Sequence, residues 1–169
     1  METLSNELAE LHCEACANYR SGERVASKIV SEAGALALAD LGIREQVIFD
    51  FAEDFVRHGE PSMEDFLSVV AIRQAHFVDS LGGCWPGAVV LESELPLRAD
   101  EWEGIPWLPR IVRKAACFLE GSLPPDVMFG CGGDRGFLKG HGLKLAEFLT
   151  AVKDAKGDDA VILRRVRRS

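Results

Sequence analysis

Apolar positions recur at three- and four-residue intervals over most of this chain, the spacing that lines one face of an α-helix. Leu4, Leu8, Leu11 and Ala15 predict a first helix over residues 4–19. Ser21 offers a cap for a second, which runs to Leu41 and stops at Gly42. The later half of that segment, Ala33-Gly34-Ala35-Leu36-Ala37-Leu38-Ala39, is small and apolar on every side. Such a composition suits a buried helix in close contact with its neighbours. Val47, Ile48, Phe51 and Phe55 form the inward face of a third helix over 44–58, with Gly59 as its stop. Pro61 and Ser62 open a fourth over 63–81, which ends at Gly82 and Gly83.

The helical pattern then breaks. Residues 82–105 hold Gly82, Gly83, Pro86, Gly87, Pro96 and Gly104 among scattered acids, and only Ala88-Val89-Val90-Leu91 reads as a short strand. A connection this long is either functional or laid down as packing. Trp85 and Trp102 favour packing, since large rings gain by leaving water. Helical spacing resumes over 106–120, with Trp107, Ile111, Ala115, Phe118 and Leu119 inward. A loop through Pro124, Pro125 and Gly130-Cys131-Gly132-Gly133 leads to a short turn starting at Asp134. Helices over 144–155 and 159–168 follow, the last capped by Asp158. The expected fold is all-α: a multi-helix bundle with a long irregular connector and at most one short strand. Its parts are an N-terminal helical half (1–82), the connector (83–105) and a C-terminal helical half (106–169), together one compact unit.

Composition narrows the function classes. The chain has 169 residues, 47% of them hydrophobic, enough for a real core. Its net charge of −8 disfavours nucleic acid, because phosphate neutralisation needs a basic face. The one basic run, Arg164-Arg165-Val166-Arg167-Arg168, reads as favourable charge at a helix C-terminus, with an anionic partner as the other reading. No apolar stretch approaches the roughly 20 residues that cross a bilayer. The start is acidic where an export signal would be basic and then apolar, so the expected location is the cytoplasm. There the five cysteines would be reduced.

Four groups of polar residues interrupt the apolar pattern. On the fourth helix Phe66, Val70, Phe77 and Leu81 form one stripe, Arg73 projects within it, and Gln74 lies on its edge. A guanidinium facing a core must be paired or must line a cavity. It is therefore either an ion-pair partner of Asp50, Asp54 or Asp134, or an anion-binding group in a pocket. On the first helix His12, Cys13 and Cys16 are spaced to meet on one face, with donors that suit zinc or another transition metal. Cys13 points about 160° away from the leucine stripe, and no second ligand pair of similar spacing exists. The other reading of these cysteines is inert.

The run Gly130 to Arg135 allows close backbone approach before a helix start, which attracts anions. It lacks the Gly-Lys-Ser/Thr ending of a phosphate loop, so a structural turn is the alternative. Arg110, Arg113 and Lys114 form a basic face on the fifth helix beside Cys117. That is either a solvated charged face or a setting that lowers a thiol pKa.

From Ile105-Pro106-Trp107-Leu108-Pro109-Arg110 through Gly132-Gly133-Asp134-Arg135-Gly136-Phe137-Leu138, the chain resembles an uncharacterised bacterial family, a domain of unknown function. The likeness continues more loosely through Leu145-Ala146-Glu147-Phe148-Leu149, and Ile72-Arg73-Gln74 fits the pattern too. Arg113 stands where the family carries an acid, and Ala116 where it carries an arginine, so roles of those two residues do not transfer. The resemblance points to Lys114, Asp134 and Arg135 without implying a reaction.

Three functional readings follow. The leading one is a soluble helical binding protein that holds a small anionic metabolite or a partner protein between its halves. Arg73, Gln74, Lys114, Cys131, Asp134 and Arg135 would line that site. The second is a small metal- or thiol-dependent enzyme using Cys13 and Cys16, or Cys131. The third is a structural interaction protein that presents the tryptophan-bearing connector.

Overall fold

The computed structural model describes the backbone of residues 2–168 and the side chains of residues 5–168. Within it the chain folds into eight α-helices and one two-residue-per-strand hairpin. The helices are α1 (Glu2–Arg20), α2 (Glu32–Asp40), α3 (Glu45–His58), α4 (Met63–Asp79), α5 (Leu108–Glu120), α6 (Gly132–Gly140), α7 (Leu145–Ala155) and α8 (Asp159–Arg167). Local chemistry sets several of their ends. Ser62 and Asp65 form a reciprocal capping box at the start of α4, and Asp158 accepts from the Ala160 amide at the start of α8. Gly59 and Gly121 close α3 and α5 in the left-handed conformation.

One apolar cluster joins the two halves. Ile48, Phe51, Phe66 and Val70 from α3 and α4 belong to the same buried core as Ile111 and Phe148 from α5 and α7. Helix α4 sits at the centre of this arrangement, packed against α1, α5 and α7. The all-α expectation therefore holds. Among the described residues no helix is long and apolar enough to cross a membrane.

The structure departs from expectation at several elements. The predicted second helix divides: residues Ala26–Lys28 form a single 3-10 turn, and α2 starts at Glu32, capped by Ser31 rather than Ser21. Nor is α2 buried on every side. Only Gly34 and Leu38 are buried, Ala35 and Ala37 pack against the core half-buried, and Leu36 is 64% exposed. A run of alanines looks apolar at every angle, but each side chain is too short to require a neighbour. The stretch Ala88–Leu91 is not a strand; its Val90 amide makes one bond, to the Ser122 carbonyl (2.8 Å) at the exit of α5. The strands are instead β1 (Glu101–Trp102) and β2 (Ile105–Pro106), paired antiparallel. Their turn residues, Glu103 and Gly104, both have positive φ, as a tight hairpin needs. The turn expected at Asp134 is a nine-residue helix, α6. The side chain of Leu4, placed first in the α1 stripe, lies outside the described residues.

Gly42 ends α2 at φ +72, and a Cβ there would run into the Phe77 ring of α4. Both backbone conformation and space therefore demand glycine. Gly42→Ala is expected to lower stability by about 2 kcal/mol or more in urea unfolding, with an unchanged m-value.

Candidate ligand site

Helix α4 carries Arg73 into the interior between Val70 and Phe77, leaving the residue 2% exposed. None of the three carboxylates expected to pair with it does so. Asp50 accepts from Gln46 Nε2 (2.7 Å), Asp54 from Arg135 (2.8 Å) and Asp134 from Lys114 (2.5 Å). Both terminal nitrogens of Arg73 are buried with no hydrogen-bond partner. The guanidinium lies 5.2 Å from the Phe77 ring centre and 5.6 Å from that of Trp85, contacts that attract a cation without satisfying its N–H groups. Burial lowers its pKa to about 10, Arg44 pulls the same way and Glu120 opposes; the side chain stays charged at neutral pH.

Arg73 lines a cavity of about 1040 Å³. Its walls come from α2 (Ala35, Ala39), α3 (Val47, Phe51), α5 (Phe118) and the chain between Gly121 and Phe129. Trp85 of the connector stands beside Arg73, with the Arg44 guanidinium 5.1 Å from its ring centre. Arg44 in turn donates to the Gly121 carbonyl (3.0 Å), which ties the start of α3 to the end of α5.

A second cavity, about 400 Å³ and far more polar, adjoins the first where both are lined by Gln46, Asp50 and Met128. Lys114 and Cys131 reach this one, with Nζ 3.4 Å from Sγ. Beneath them Asp134 is fully buried. Its carboxylate accepts from Lys114 Nζ (2.5 Å), the Gly130 amide (2.9 Å) and Trp107 Nε1 (3.0 Å). Three donors meet the requirement of a buried carboxylate. Asp134 thus reaches back to the preceding loop rather than capping its own helix. The glycines before it serve packing as well: the Trp107 ring lies where a Cβ of Gly133 would point.

The predicted site residues therefore divide. Arg73 lines the large cavity; Lys114 and Cys131 line the polar one. Asp134 holds Lys114 from below, while Arg135 bonds Asp54 (2.8 Å) and the Gly130 carbonyl (2.7 Å). Gln74 is half-buried and lines neither cavity. The basic face of α5 is solvated only at Arg113: Arg110 and Lys114 are buried, and Arg110 donates to the Pro96 carbonyl (2.6 Å). Cys117 beside them is buried too, and burial pushes its thiol pKa up, outweighing the downward pull of Arg113.

Of the residues proposed as metal donors, His12 and Cys16 meet and Cys13 lies apart. His12 is packed between the rings of Phe55 and Phe66, with Cys16 Sγ 3.7 Å from its Nδ1, while Cys13 is exposed. Among the described residues no three His, Cys, Asp or Glu side chains gather as a metal site requires. All five cysteines stand as free thiols.

Trp85 and Asp50, both in the cavity walls, were not among the predicted site residues. Trp85 sits in a segment with no periodicity, and its tryptophan identity argued only for packing. Asp50 precedes the inward Phe51 on α3 and is half-buried where the two cavities meet. Burial raises its pKa to about 7, Gln46 opposes the rise, and Glu53, Asp54 and Asp126 add to it. A carboxylate beside an inward position was the one available signal.

Comparison with known proteins found no matching family model, no similar curated protein and no similar solved structure. The resemblance around Trp107, Cys131 and Asp134 therefore rests on those residues alone.

Two predictions follow from the buried charges. Removing Asp134 with alanine strands the Lys114 ammonium, and is expected to cost about 3–5 kcal/mol in denaturant unfolding. Asp50 and His12 act in opposite directions with pH. Asp50 rises from 3.8 to about 7 on folding, so the stability it contributes is complete below pH 3.8 and is lost as pH climbs through 7. His12 falls from 6.5 to about 4, so its contribution is present above 6.5 and lost as pH falls through 4. Asp50→Asn should therefore gain stability relative to the unaltered chain as pH rises from 4 to 7, by up to about 1.4 kcal/mol per unit. Paired urea melts at pH 4.5 and 8 measure it; an unchanged difference would place Asp50 in a water-like setting.

Proposed function

We propose that this chain is a helical binding protein that holds a small anionic metabolite in the cavity beside α2 and α3, anchored by Arg73. One observation carries the reading: a buried guanidinium whose two terminal nitrogens have no partner, at the wall of a cavity of about 1040 Å³. An unpaired buried charge is costly, and an apolar side chain of similar volume would serve a structural role better. The group makes physical sense when an anion completes it. The volume is that of a small-molecule site and suits a metabolite better than a protein surface.

Arg73→Met tests the reading. The variant is expected to fold and to be more stable than the unaltered chain by about 1–4 kcal/mol, because it removes an uncompensated charge. Native mass spectrometry of both proteins as purified should show an additional small-molecule mass on the unaltered chain only. A variant that carries the same mass to the same extent takes Arg73 out of the site.

A further inference from the structure

The large cavity holds enough chemistry to name the class of its ligand. Among the described residues, Arg73 supplies the only buried, unpartnered side-chain nitrogens in its wall. Terminal nitrogens of one guanidinium form a planar fork, which matches the two oxygens of a carboxylate. A phosphate or sulfate head would bring further oxygens with no such donor waiting for them, and a buried acceptor left unpaired is costly. Arg44 adds positive potential from the rim but already spends one nitrogen on the Gly121 carbonyl. Glu32, Glu45 and Asp50 also line the cavity, so a second negative charge on the ligand would meet repulsion.

The rest of the wall asks for hydrocarbon. Seven large apolar side chains are exposed among the described residues, and four of them (Val25, Leu36, Trp85 and Val89) line this cavity. Their concentration at one place marks an apolar ligand surface rather than ordinary scatter. From α2, half-buried Ala35 and exposed Ala39 line the same side. We infer that the ligand is an amphipathic monocarboxylate, its carboxylate on the Arg73 fork beside Trp85 and its hydrocarbon body along the cavity toward α2. This deepens the binding reading above and rests on Arg73 being the anion anchor.

Three probes with one hydrocarbon body test it: decanoate, decanol and decyl phosphate, each below its micelle-forming concentration. Binding is read by calorimetry and tryptophan fluorescence, on the full chain and on Arg73→Met and Arg73→Lys. Decanoate should bind at least tenfold more tightly than either other probe. Arg73→Met should reduce decanoate to the level of decanol and leave decanol unchanged. Arg73→Lys, which keeps the charge and loses the fork, should recover only part of the affinity, and it carries the test if Arg73→Met does not fold. Decyl phosphate binding as tightly as decanoate, with both lost in the Arg73 variants, overturns the monocarboxylate class and leaves the anchor standing. Decanol binding as tightly as decanoate, unaffected by either variant, overturns the anchor itself. Failure of all three probes to bind overturns both.

Discussion

Asp134 carries its negative charge with no exposure to solvent, and the structure around it depends on how that charge is met. Lys114 from α5, the Gly130 amide and the Trp107 indole all donate to the one carboxylate. Trp107 stands at the N-cap of α5, Lys114 within that helix and Gly130 in the loop before α6, so this one carboxylate ties the loop to the helix. Fixing Gly130 fixes the end of the chain that runs from Gly121 to Phe129, and that chain is a wall of the large cavity. The same pair places Lys114 Nζ against Cys131 Sγ at the polar cavity. The buried ion pair thus touches the walls of both cavities, alongside the Arg44 bond to the Gly121 carbonyl.

Arg73 shows the opposite treatment of a buried charge. Asp134 is answered by three groups of its own protein; Arg73 is answered by two aromatic faces, its terminal nitrogens covered and without a hydrogen-bond partner at the cavity wall. The same helix stripe that buries Phe66, Val70 and Phe77 buries Arg73, so the fold cannot turn it out to water. Stability is given up at this point, and given up beside a cavity whose rim gathers exposed apolar side chains. The fold tolerates this cost at Arg73 while meeting its buried carboxylate, Asp134, with three donors.

Much of the helical frame was legible. Periodic spacing located α1, α3, α4, α5, α7 and α8 within a few residues, because each buries a stripe of large side chains. It failed at α2, where alanine and glycine satisfy any angle, and at the connector, where no period exists. For the site, the pattern correctly picked Arg73 as a cation on a core face. It placed Arg110, Arg113 and Lys114 on one basic face, read as solvated or as lowering a thiol pKa, although only Arg113 is exposed. Arg110 and Lys114 are covered by residues from the connector and from α6, which are distant in the chain.

What the sequence determined by itself is the set of helices and the presence of charges that their inward faces must bury. Both are local properties, written in spacing over ten to twenty residues. Which charge finds a partner was decided only by tertiary structure. Asp50, Asp54 and Asp134 were equal candidates for Arg73 along the chain, and folding gave each of them a different donor. The cavity is tertiary for the same reason: its walls come from α2, α3, α5, the connector and the 121–129 loop, and no spacing within one of them encodes the volume left among them.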